Sequence, residues 1–142
     1  MKKNIEEIKK FNRFYIRMMG LFNLYTDESP YSATEALILF EIYSIPSCTA
    51  SYLSDYFLFD KGYISRILKK FEQNHVISRV PSKEDRRKQY LEITQTGKED
   101  LDELMSKANL NVENMIKEIS DKDLSELISS MKKIEKILTQ NE

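Results

Sequence analysis

One cysteine, one histidine and no tryptophan occur among 142 residues. A single thiol allows no internal disulfide, so stability must come from a hydrophobic core, and the cytoplasm is the expected compartment. One His and one Cys cannot assemble a recognisable zinc site or a Cys–His nucleophile pair, and there is no glycine-rich phosphate loop. No catalytic site, metal or cofactor is therefore expected. Glycine and proline number three each, a shortage of turn residues that points to a mainly helical chain. No apolar run approaches the ~18–20 residues that cross a bilayer. Glu6 and Glu7 stand where a signal peptide needs apolar residues. No membrane partner is expected.

What is present is unevenly distributed. The formal net charge is −1, yet residues 60–90 hold nine basic side chains against four acidic ones, while residues 98–142 hold seven against eleven. A short cationic block in a neutral-to-acidic chain suggests one surface turned toward a polyanion, or else a merely solvated charge run.

Apolar spacing predicts helices over Ile5 to about Tyr25, ended by Asp27-Glu28-Ser29-Pro30, and from a Ser32 or Thr34 cap to Ile45-Pro46. A short helix is expected over Ala50–Phe57. Asp60 then caps a longer one from Lys61 to about Asn74. Ile64, Ile67, Leu68 and Phe71 line one side of that helix, and Gly62, Ser65, Arg66 and Lys69 line the other. The period switches to two over Val76–Val80 and Tyr90–Thr94, which predicts a hairpin with a cationic tip over residues 81–89, closed by Thr96-Gly97. Two further helices are expected, about Lys98–Ile119 and from the Ser120 cap to about Leu138.

A helix that reads the DNA major groove needs one face for its own core and another that offers donors to bases and phosphates. A cationic hairpin beside it can enter the minor groove, whose negative potential attracts guanidinium. Here the two elements follow one another in that order. The fold class expected is mainly α, an α+β winged helix of about six helices with a two-stranded wing.

The stretch Ala50-Ser51-Tyr52-Leu53 through Asp60-Lys61-Gly62-Tyr63-Ile64-Ser65-Arg66-Ile67-Leu68 and Phe71-Glu72 resembles the helix-turn-helix of MarR-type transcriptional regulators. The run from Asp85-Arg86-Arg87 to Leu91-Glu92-Ile93-Thr94-Gln95-Thr96-Gly97 resembles that family's wing. Phe11-Asn12-Arg13-Phe14-Tyr15 is further similar to the branch sometimes fused to an acetyltransferase. The chain stops where such a domain would begin, so that activity is not expected here.

The resemblance implies a homodimer on a pseudo-palindromic double-stranded DNA site. Residues 32–97 would form the DNA-binding lobe of one domain spanning 1–142, and residues 1–30 and 98–142 the dimerisation helices. It places Lys61, Gly62, Tyr63, Ser65, Arg66 and Lys69 on the reading helix. Arg87 becomes the minor-groove arginine, Asp85 the carboxylate that orients it, and Arg86 a phosphate contact. It also implies a cleft for a small lipophilic or anionic effector, for which the candidates are Tyr15, Arg17, Met19, Phe22, Phe40 and Tyr43, with Arg13 and Tyr25 nearby. The family usually has glycine before the first wing strand. This chain has Asn74-His75, residue types that tolerate a left-handed helix end. Two alternatives stay open: a winged-helix protein–protein module without DNA binding, and a redox-sensing regulator built on Cys48.

Overall fold

The computed structural model describes residues 1–19 and 29–140. The first helix, α1 (Lys2–Met18), sets its apolar residues three and four apart but buries none of them within this chain. Its expected continuation to Tyr25, and the Asp27-Glu28 part of its stop signal, lie outside the described residues.

Ser32 starts α2 (Ala33–Ser44) with a capping box. Its Oγ accepts the Glu35 N–H at 3.1 Å, and its own N–H donates to Glu35 Oε1 at 2.9 Å. Ala36, Ile38, Leu39 and Ile42 of α2 are buried, while Leu37, Phe40 and Tyr43 stand exposed on its other side. Thr49 caps α3 (Ala50–Phe57) by accepting the Tyr52 N–H at 3.1 Å. The turn that follows passes through Leu58 at φ 57°, a left-handed backbone rare for a bulky side chain. Asp60 then accepts the Gly62 N–H at 3.1 Å and starts α4 (Lys61–Gln73), which buries the expected Ile64, Ile67, Leu68 and Phe71.

His75, at φ 58°, takes the left-handed position that ends α4, and its N–H donates to the Glu72 carbonyl at 3.0 Å. The wing follows as β1 (Ile77–Pro81) and β2 (Gln89–Ile93), antiparallel, with Ile77 opposite Ile93 and Arg79 opposite Leu91. On the far side of β2 the Leu91 N–H donates to the Cys48 carbonyl at 2.8 Å, which ties the wing to the loop before α3.

The next helix starts earlier than its apolar pattern indicated. Thr94, not the Thr96-Gly97 pair, ends the hairpin and caps α5 (Gln95–Ile116). Its Oγ1 accepts the Gly97 N–H at 3.1 Å and donates to the His75 carbonyl at 2.7 Å. Gly97 thus sits in the first turn of α5, pressed so closely on the chain just before β1 that a Cβ there would lie 2.1 Å from the Val76 carbonyl oxygen. Ser120, as expected, caps α6 (Asp121–Leu138) by accepting the Asp123 N–H at 3.1 Å.

The core gathers α2, Leu53, the inner face of α4, Val76, Ile77, Leu91 and the first turns of α5, where Leu101 and Leu104 are buried. Like α1, α6 buries none of its residues within the chain. Among the described residues no helix is long and apolar enough to cross a membrane.

Candidate nucleic-acid interface

Burial along α4 alternates as a two-faced helix requires. Lys61, Gly62, Tyr63, Ser65, Arg66 and Lys69 are exposed, while Ile64, Ile67 and Leu68 are buried. All six sequence-predicted positions of this helix therefore share its open side. Arg66 extends over the Tyr63 ring, 6.0 Å from its centroid, and Tyr63 meets Phe59 edge-on. Glu72, on the same helix, pairs instead with Arg79 of β1 at 3.0 Å. Among the described residues none of Lys61, Arg66, Lys69, Arg86 and Arg87 enters an ion pair. Their charge is left to attract an outside anion.

The wing tip is a built turn. Ser82, nearly buried, accepts the N–H groups of Glu84 and Asp85 at 3.2 and 3.3 Å. Asp85 Oδ1 accepts the backbone N–H of Arg87 at 3.0 Å. The carboxylate expected to orient Arg87 meets its backbone amide rather than its guanidinium, and both the Arg86 and Arg87 side chains are exposed.

Between the start of α3 and the wing lies an open cavity of about 440 Å³ lined by Thr49, Ser51, Tyr52, Arg79, Arg87 and Lys88, among others. Sequence reasoning passed over Arg79, Lys88 and the first turn of α3 as parts of this surface. The hairpin register and the bridge from Cys48 to Leu91 bring them together. Tyr52 fixes α3 to α2 here, its hydroxyl donating to Glu41 Oε1 at 2.7 Å. That bond to a carboxylate pushes the phenol up to about 12.

Of the effector-site candidates, Phe40 and Tyr43 line different cavities. Phe40 lines an apolar cleft of about 340 Å³ between α2 and α5, with Leu37, Leu101, Leu104 and Met105. Tyr43 lines a separate cavity of about 450 Å³ beside β2, where the Lys98 ammonium lies 4.5 Å from its ring centroid. Neither cavity is lined by Tyr15, Arg17 or Met19 of α1, and Phe22 lies outside the described residues. Cys48 is fully buried, and burial, with the Glu41 carboxylate beside it, pushes its thiol up to about 11. That is the setting of an inert thiol rather than a redox sensor.

Comparison with known proteins bears out the resemblance read from the sequence. The MarR family model matches residues 31–88, from just before α2 to the wing tip. The HTH-type transcriptional regulator BilQ of Clostridioides difficile (strain CD3) is 28% identical over 125 residues, covering 83% of this chain and 82% of that protein. A MarR/EmrR family transcriptional regulator from Acinetobacter sp. ADP1 superposes with a TM-score of 0.76 at 22% identity, over 96% of this chain and 97% of its own. Streptococcus pneumoniae FabT, solved in complex with DNA, gives a TM-score of 0.74 at 21% identity, over 99% and 98%. The fold is the MarR winged helix, as expected.

Proposed function

Because residues 31–88 carry the MarR-family winged helix, we propose that this chain is a sequence-specific DNA-binding transcriptional regulator, a cytoplasmic homodimer on a pseudo-palindromic site. The observation that carries this reading is the open side of α4, where Lys61, Arg66 and Lys69 enter no ion pair among the described residues and stand in one lobe with a cationic wing. In it α4 lies in the major groove, where Arg66 is the bidentate donor to a guanine or a phosphate. Gly62 lets the start of α4 approach the backbone closely. The wing tip carries Arg87 into the adjacent minor groove, and Arg86 meets a phosphate. BilQ's description as a transcriptional regulator and the DNA held by FabT support the assignment.

Residues 32–97 act as the DNA-binding lobe, and residues 1–30 and 98–142 join two copies. The activity is repression relieved by a small lipophilic or anionic effector. The apolar cleft between α2 and α5 supports an effector site at Phe40 rather than one shared by all six candidates. Such a ligand acts only by binding more tightly to a state whose reading helices are wrongly spaced for DNA.

Selection of bound duplexes from random DNA, followed by titration of the chosen operator, tests the reading. A palindromic motif is expected, with affinity falling steeply as salt rises. Ser65→Ala and Arg66→Ala should shift the preferred bases, whereas Lys69→Ala should weaken all sequences alike and flatten the salt slope. Absence of salt-sensitive binding even at low ionic strength would refute the DNA reading in favour of a protein–protein module.

A further inference from the structure

Two helices that must be held in register on DNA, α4 and α5, pack mainly on different neighbours: α4 on α3 and β1, α5 on α2 and β2. One side chain joins them directly. Tyr31, only 7% exposed, sits just before the Ser32 cap, with its ring edge-on to Phe71 of α4 at a centroid distance of 6.1 Å. Its hydroxyl donates a short hydrogen bond to Asp100 Oδ2 of α5. A second link reaches α4 from the same corner. Glu35, 8% exposed, accepts the Ser32 N–H on Oε1 and holds Lys70 of α4 at 2.8 Å on Oε2. Tyr31 and Glu35 thus brace the last turn of α4 against the first turns of α5 through the capped start of α2.

Neither Tyr31 nor Asp100 is on the open side of α4 or at the wing tip, so neither is placed to touch DNA. Their position gives them another role. The exposed apolar residues of α5, Leu110 and Val112, begin ten residues beyond Asp100, about 15 Å along the helix axis at ~1.5 Å per residue. A small rotation of the lobe about α5 near Asp100 therefore changes how far α4 stands from a partner copy joined through that distal half. It leaves the side chains on the reading face of α4 as they are.

Resting on the regulator reading above, we propose that Tyr31 and Asp100 form a positioning pair that sets the separation of the two reading helices. They determine which half-site spacing the protein accepts, not which bases it reads.

The test uses the full chain and a series of operator duplexes in which the two halves stay constant and the spacing changes by one or two base pairs. Wild type should show a sharp optimum. Tyr31→Phe keeps the ring on Phe71 and removes only the hydroxyl. It should reduce the affinity penalty for altered spacing by about tenfold, the order of one hydrogen bond to a charged group. Asp100→Ala should match it. Asp100→Asn, whose amide oxygen still accepts the phenol hydrogen, should restore the wild-type profile, and this Ala/Asn contrast stands even where Tyr31→Phe folds poorly. In every variant that folds, the bases selected within each half-site should be those of wild type. Unchanged spacing profiles in both Tyr31→Phe and Asp100→Ala would overturn the proposal, and so would altered base preference within a half-site. Wild type that binds no duplex would instead refute the regulator reading, and the pair's role with it.

Discussion

Asp85 Oδ1 accepts the Arg87 backbone N–H, and Ser82 Oγ accepts those of Glu84 and Asp85, so these side chains, together with the backbone bonds Ser82 N–H to the Lys88 carbonyl and Lys88 N–H to the Asp85 carbonyl, hold the outermost wing. Short polar side chains that bind backbone amides two or three residues on build such turns and leave neighbouring long side chains free. Arg87 is then an exposed cation on a hydrogen-bonded turn, suited to a narrow, electronegative groove. Arg87→Ala is expected to weaken binding by ~1–3 kcal/mol on operators with A·T-rich flanks, and by less where the flanks are G·C-rich. Asp85→Ala should cost less than Arg87→Ala, because the Ser82 bonds still shape the turn. Fluorescence anisotropy with both duplexes reads the difference, and equal binding by wild type and Arg87→Ala would remove the arginine from the groove.

Element boundaries depend on contacts of this size. Thr94 closes the hairpin and opens α5 with one hydroxyl, and the joint works only because Gly97 lets the helix touch the chain just before β1. Gly97→Ala would thrust a methyl group into the Val76 carbonyl, which backbone on both sides prevents from yielding. A loss of roughly 1–3 kcal/mol is expected from such overpacking, visible as a lower denaturant midpoint. At the start of α2 the Glu35 carboxylate is lowered from its ordinary value of 4.5: burial opposes the charge, but Lys70 and the Ser32 N–H together outweigh it. Its folded value is below its unfolded one, so the stabilisation is full above the unfolded value. It disappears as pH falls through the depressed folded value. Thermal melts between pH 6 and pH 3, a range chosen around ~4.3 for a free Glu, should show stability falling with acid. Glu35→Gln should be less stable at pH 6 and should show a smaller acid-dependent drop than wild type. Parallel curves for the two proteins would rule Glu35 out as a source of the drop.

Across the whole molecule, apolar surface is left over. Phe11, Phe14 and Ile8 of α1, Leu110 and Val112 of α5, and Ile134, Ile137 and Leu138 of α6 are all exposed in the single chain. Helices patterned for burial that bury nothing within the chain, as α1 and α6 do, call for a second surface, and a two-fold partner would supply the same one in reverse. Sedimentation equilibrium should give twice the 16.8 kDa chain mass. Phe14→Glu combined with Ile137→Glu should shift the protein toward monomer and lower affinity for a full palindrome far more than for a half-site. A wild-type protein that stays monomeric at micromolar concentration would exclude the two-fold arrangement.

Periodicity made α4 and its two faces legible from the sequence alone. Ile64, Ile67, Leu68 and Phe71 recur at helical spacing, and Asp60 is a cap residue, so the face left exposed followed from geometry. The wing was equally legible, since Val76–Val80 and Tyr90–Thr94 alternate around a cationic tip, and the paired strands came within one residue of those limits. His75 was readable as the helix end, because few other residue types accept its left-handed backbone. Three features had no local signal. The start of α5 moved to Thr94 because a hydroxyl there meets a carbonyl nineteen residues away. Arg79 and Lys88 joined the surface beside Arg87 only through the strand register and the return of the chain at Cys48. Tyr31 found Asp100 across 69 residues. Spacing along a chain records which side of an element is apolar, but which polar groups meet between elements is decided by packing. The braces and close approaches that position the interface therefore existed only in the folded molecule.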